Sequence, residues 1–355
     1  MSGGDRHHLR ALDAVRGLAI AAMILVNNPG DWNSVFAPLQ HAEWNGWTFA
    51  DTVFPFFVFV MGCAMPFAFA RRHQQHGADW RAGVRIARRA AILFGLGLLL
   101  NLEVAIPHVS MLRVPGVLQR LALAYLGAAF IVRSTGAAGQ AAVAVVLLAG
   151  HWAAMAFSPY GLTREHNLAG VIDATVFGSH TLMPGFDPEG LLGTLPTIAT
   201  ALAGALAGGW LLRFRSQPRG IVGLATGGTV LIGLGLAWST VWPINKPLWT
   251  GSYALLMSGI AAVTLAACIL VIDVLDVKGW ARPFLALGAN PLAVYFGSEF
   301  VGHLLEQHKH VVYWGLFAQL TGNVELASLL FGVVYVTCWL VVALMLEQRH
   351  IRLRV

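Results

Sequence analysis

Residues 27–66 read NNPGDWNSVFAPLQHAEWNGWTFADTVFPFFVFVMGCAMP. One apolar run ends at Asn27, a polar and aromatic loop follows, and a second apolar run opens at Thr52. The loop holds a single histidine, His41, among Trp32, Trp44 and Trp47, with Asn27, Asn28, Glu43, Asn45 and Asp51 close in sequence. A helix needs roughly 20 apolar residues to cross a bilayer. A polar cluster wedged between two such runs is costly unless it has a role. This stretch therefore predicts two membrane-spanning helices joined by a functional loop.

The same pattern recurs on both sides of it. The chain has 355 residues, 57% of them hydrophobic and only 11% charged, whereas a soluble domain carries about 25% charged residues. Apolar runs at 11–27, 52–70, 90–102, 115–132, 140–157, 190–212, 220–240, 253–272, 283–301 and 326–346 predict an all-α polytopic membrane protein with about ten spans. They leave no room for a large soluble domain, so the chain reads as one domain over residues 1–355. The first run lacks a small-residue exit site and reads as an uncleaved span. Cys63, Cys268 and Cys338 all fall inside apolar runs and read as small buried hydrophobes. No set of histidines or cysteines has metal-ligand spacing.

Lys and Arg set the orientation, because they concentrate on the cytoplasmic side. With the N-terminus inside, only Arg113, Arg120, Arg164, Lys246 and Lys309 of the 23 basic residues fall outside. Both termini are then cytoplasmic, and the His41 loop, the 158–189 loop and the PINKPLW loop all lie on the outer face. The net charge of +6 sits in short inner segments, which argues for anionic lipid rather than nucleic acid. The basic segment from Arg71 to Arg89 reads either as lipid-facing charge or as a site for an anionic nucleotide head group, which arginine grips bidentately. No GxxxxGK[ST], GxGxxG in a strand–helix setting or HExxH is present.

Each polar residue of interest carries two readings. His41 is an interfacial side chain, or an acid–base group whose tryptophan neighbours limit water. Asp51 caps the second helix, or it orients the histidine. Asn27 stops the first helix, or it donates to an oxyanion. Asp13 and Arg16 are spaced to pair on one helix face. Arg120, with Gln119 beside it, lies within an apolar run and needs a partner: a phosphate or thioester ligand, or a carboxylate such as Glu103 or Glu299. Asp187 and Glu189 begin a helix at DPEG, or they bind a substrate, and Asn245 and Lys246 flank a proline turn.

The blocks LDAVRGLAIAAMILVNNPG, LQHAEWNGWTFADTVFPFFVFVMG, LRVPGVLQRLALAY, DPEGLLGTLPTIAT and PINKPLWTGSY together resemble the heparan-α-glucosaminide N-acetyltransferase-like family. They span residues 10 to about 255, and the nearest likeness is to the bacterial NagX-like branch. The resemblance implies a bacterial inner-membrane enzyme that passes acetyl from cytoplasmic acetyl-CoA to the amine of an amino sugar across the bilayer. It places the family's active-site histidine on His41 and its functional asparagine on Asn27, with Asp51 beside them, and it suggests a homodimer. Arg16, Arg72, Arg113, Gln119 and Arg120 are the expected acetyl-CoA contacts. Trp44, Asn45, Asp187, Glu189, Asn245 and Lys246 are those expected for the acceptor. The chain starts without a large luminal domain, which points to a small acceptor. Direct transfer with His41 as base is preferred to an acetyl-histidine route, and a sugar transporter is the rival reading.

Overall fold

The computed structural model describes residues 9–76, 81–106, 108–214 and 217–351. Among them the only β geometry is two isolated bridges, Leu162 to Asn167 and Met183 to Phe186. In hydrocarbon every backbone N–H and C=O must be satisfied within its own segment, which an apolar run achieves by becoming a helix. The helices are α1 (Arg10–Asn27), α2 (Phe49–His76), α3 (Arg81–Ala105), α4 (Val117–Ser134), α5 (Ala137–Ala156), α6 (Leu168–Phe177), α7 (Thr194–Phe214), α8 (Pro218–Ser239), α9 (Gly251–Cys268), α10 (Arg282–Ala289), α11 (Pro291–Val312), α12 (Ala318–Thr321) and α13 (Val324–Gln348).

Seven of these segments are long and apolar enough to cross a membrane: α2, α4, α5, α7, α8, α9 with its extension to Val274, and α13. The expected ninth span is not one straight helix. It breaks at Asn290, and its two halves, Gly279–Ala289 and Pro291–Glu306, meet at 78°. Pro291 supplies no N–H and collides with the preceding turn, and the Asn290 amide donates instead to the Ile351 carbonyl at 2.9 Å. Two further expectations change. The basic Arg71–Arg89 segment, whose charge reads as an inner loop, is helical over 71–76, the end of α2, and over 81–89, the start of α3. DPEG does not open a helix; α7 begins at Thr194.

Between apolar helices in lipid, close packing replaces the hydrophobic drive, and small residues permit it. On α7, a Cβ at Gly204 would lie 2.0 Å from the Phe59 carbonyl oxygen, and one at Gly208 would lie 2.2 Å from that of Cys63. That backbone approach binds α7 to α2. The main core lies where α1, α2, α4, α7 and α9 converge, around Ile20, Phe54, Leu121, Leu202 and Tyr253. It brings the end of α1, the start of α2 and the 243–250 loop to one end of the bundle.

Candidate active site

Asp51 organises that end. Its carboxylate accepts the Thr48 and Ala42 backbone N–H groups, each at 3.0 Å. The Thr48 bond is the reciprocal half of a capping box, fixing how the loop enters α2. The other oxygen lies 2.8 Å from His41 Nδ1, so Asp51 both caps the helix and orients the histidine. A carboxylate only accepts, so this pairing favours the tautomer with the hydrogen on Nδ1 and the lone pair on Nε2. The imidazole is 47% exposed and the Asp51 side chain 1%: the orienting group is buried and the reactive one is accessible.

Lys246 arrives from far along the chain. Its Nζ lies 3.3 Å from Asp51 Oδ1, 3.1 Å from His41 Nδ1 and 3.4 Å from His41 Nε2. Burial draws the Lys246 ammonium below its usual value, although Asp51 opposes that shift. Asn245 beside it holds the two loops together, donating to the Trp44 carbonyl at 2.9 Å and to Asn45 Oδ1 at 3.1 Å. Trp44 in turn donates to the Leu162 carbonyl at 2.7 Å. Trp44, Asn45 and Asn245 therefore build the loop that carries His41.

Below this loop three cavities follow one another through the bundle. The first, about 350 Å3, is lined by Arg16, Arg89 and Tyr125 at the opposite end of the molecule. Phe57, Leu121 and Leu292 are walls it shares with a constriction of about 10 Å3 that also touches Ile20, Met23 and Phe54. Val117, Leu118 and Tyr295 are then shared with a cavity of about 560 Å3 at the His41 end. Residues three or four apart share a helix face. Asp51 therefore stands one turn beyond Phe54 on α2, and Asn27 one turn beyond Met23 on α1. Both sit over the constriction, and the Asn27 amide donates to Glu299 at 3.1 Å.

The residues expected to contact acetyl-CoA do not form one cluster. Arg16 lines the far cavity, bonded to Asp13 at 2.6 Å as its spacing implied. Arg113 and Gln119 line the near one, and the side chain of Arg72 falls outside the described residues. Arg120 belongs to neither: it is 1% exposed, donates to the Gly190 carbonyl at 2.8 Å and lies 5.5 Å from the centre of the Trp249 ring. Neither Glu103 nor Glu299 is its hydrogen-bond partner. Arg89, at the end of the basic segment offered as a head-group site, lines the same far cavity as Arg16 and lies 4.8 Å from the Tyr125 ring centre.

Asp187 and Glu189 serve the architecture. Arg113 grips Asp187 with two bonds of 2.6 and 2.8 Å and reaches Glu189 at 2.5 Å. Burial alone would lower the Arg113 guanidinium, but the two carboxylates more than offset this and hold it above its usual value. Asp187 also accepts the Leu182 N–H at 2.8 Å, so its buried carboxylate has little capacity left for an acceptor. Asp173 on α6 supports the same turn, taking the Leu191 N–H at 3.0 Å.

Burial disfavours the Asp173 charge and raises it from 3.8 to about 6. Folding therefore favours its protonated form. That contribution, on the order of 3 kcal/mol, is complete below pH 3.8 and is lost as pH rises through about 6. Asp173→Asn should flatten the decline in melting temperature that the wild type shows across this window. An unchanged slope would remove Asp173 as its source.

These features define a multi-pass helical membrane protein with a carboxylate-oriented histidine at one end of the bundle and a series of cavities that share walls along it. The chain belongs to the family described as heparan-alpha-glucosaminide N-acetyltransferase, catalytic, whose profile matches residues 8–235. It is 28% identical over 406 residues to the Homo sapiens heparan-alpha-glucosaminide N-acetyltransferase, covering 97% of this chain and 59% of that protein. To the Mus musculus protein of the same name it is 27% identical over 408 residues, covering 97% and 60%. The chain thus spans about 60% of the length of the curated relatives it matches.

Proposed function

We propose that this chain is a transmembrane acetyltransferase of a bacterial inner membrane. It takes acetyl from acetyl-CoA at the cytoplasmic Arg16 end and delivers it to the amine of a glucosamine-type sugar at the periplasmic His41 end. The observation that carries this reading is the succession of cavities that share walls from Arg16 to Glu299, the hydrogen-bond partner of Asn27. In this topology α1, α3 and the bent α10–α11 unit join the seven apolar helices as spans. Both termini are then cytoplasmic.

The residues fit the donor. Its nucleotide phosphates are too polar for hydrocarbon, and Arg16 and Arg89 offer guanidinium groups at the cavity mouth. Its slender pantetheine arm suits an apolar passage. The constriction of about 10 Å3 is too narrow for that arm as it stands, so Ile20, Phe54 and Leu292 must part as the arm enters.

At the far end the acceptor nitrogen attacks the thioester carbonyl carbon. The new C–N bond pushes the carbonyl electrons onto oxygen, and His41 Nε2 takes the N–H proton while Asp51 holds the ring. Asn27 has one amide hydrogen on Glu299 and a second for the oxyanion. Collapse breaks the C–S bond, and the departing CoA thiolate takes the proton back from His41. Arg120 is the second candidate donor: one guanidinium nitrogen is bonded to the Gly190 carbonyl, while its Nε and Nη1 are buried without a hydrogen-bond partner.

The test uses proteoliposomes with radiolabelled acetyl-CoA on one side and glucosamine on the other. Label is expected on the sugar. Unmodified sugar crossing without label would replace the enzyme with a carrier.

A further inference from the structure

The cavity of about 560 Å3 at the His41 end lies within the size range of small-ligand pockets, and its polar groups are unevenly satisfied. Gln119 is 2% exposed and lines the cavity, yet neither atom of its amide has a hydrogen-bond partner. Burying such an amide unpaired costs about 1–3 kcal/mol, which a ligand with hydroxyl groups would recover. Glu299 lines the same space and is met by a neutral donor, Asn27, rather than by a cation. One turn along the same helix His303, also a cavity wall, lies 3.2 Å from Glu103. The arginine in the wall, Arg113, is already matched by Asp187 and Glu189. The cavity thus presents a carboxylate and an unfilled amide, with its guanidinium neutralised.

We infer that this cavity is the acceptor subsite, with Glu299 receiving the ammonium of an amino sugar and Gln119 bonding its hydroxyl groups. The inference rests on the acetyltransferase reading for its choice of ligand. Chemical complementarity explains release as well as binding. Attack needs the free amine, so the bound ammonium first loses one proton to water; acetylation then leaves a neutral amide, and the contact that holds the substrate to Glu299 is weak for the product. Glu299 lies on α11, Asn27 couples it to the end of α1, and the constriction shares Val117, Leu118 and Tyr295 with its cavity. An acceptor held on Glu299 therefore sits at the mouth of the donor's passage.

Calorimetric titration of the full chain in lipid nanodiscs with glucosamine and with N-acetylglucosamine tests this. A bond to a charged group is worth about 1.5–3 kcal/mol, or roughly tenfold or more in affinity. The wild type should bind glucosamine at least about tenfold more tightly than N-acetylglucosamine. Glu299→Gln preserves size and still accepts from Asn27, and it should bring that ratio near one with acetyl-CoA affinity unchanged. Should Glu299→Gln also lose acetyl-CoA binding, Glu299→Asp and Gln119→Met provide the readout: the first keeps the preference, the second weakens both sugars alike. A wild type without the preference, or a Glu299→Gln protein that retains it, overturns the subsite. A protein that binds glucosamine selectively yet transfers no acetyl leaves the subsite standing and removes the enzymatic reading instead.

Discussion

His41→Ala is expected to lower acetyl transfer to glucosamine by about 10²–10⁴-fold, the usual contribution of a positioned acid–base group, while the protein remains folded and binds CoA. The fold should survive because the imidazole is about half exposed and its removal orphans nothing. Asp51 keeps the Thr48 and Ala42 N–H groups and the Lys246 ammonium. Donor binding should survive because Arg16 and Arg89 stand at the other end of the bundle. Transfer by assay, size-exclusion profile and CoA titration separate the three effects, and an active His41→Ala protein would sink the assignment. The same residue distinguishes two routes. Direct transfer leaves no modified enzyme, whereas a two-step route acetylates His41 when the acceptor is withheld. Mass spectrometry of protein incubated with acetyl-CoA alone should find unmodified His41.

Leu121→Trp is expected to reduce transfer by about a hundredfold, equivalent to roughly 2.7 kcal/mol of barrier. Leu121 is 3% exposed and is a wall of both the Arg16-end cavity and the constriction. An indole there fills the passage at its narrowest section. Overpacking a core typically costs about 1–3 kcal/mol, which slows the passage of the acyl arm before it unfolds a bundle this large. Leu121→Ala widens the same section and should keep wild-type transfer. Binding of the CoA head group alone should be equal in all three proteins. If folded Leu121→Trp protein transfers acetyl at the wild-type rate, the acyl arm takes another path.

Much of the architecture was legible because hydropathy is set residue by residue, by the cost of placing each side chain and its backbone in hydrocarbon. The runs on either side of the 27–66 stretch became α1 and α2, and most other apolar runs became helices with boundaries close to those expected. His41 and Asp51 were also legible as a pair, since they flank one helix entry and a capping box is local. Local pattern misled where a residue type has two uses. DPEG has the composition of a helix start, but Asp187 is drawn away by Arg113, 74 residues earlier. The 283–301 run is apolar enough for one span, but Pro291 bends it.

What the sequence by itself determined, then, is a helical membrane chain with a polar loop built around His41. Only the tertiary structure decided what surrounds that histidine. Lys246 reaches it from 205 residues away, Asn27 meets Glu299 across 272, and three cavities share walls because α4 and α11 line all of them. The physical reason is that a helix's existence follows from its own side chains in lipid. Which of its faces meets which neighbour depends on close contacts such as those of Gly204 and Gly208 with α2, and these belong to pairs of segments rather than to either one.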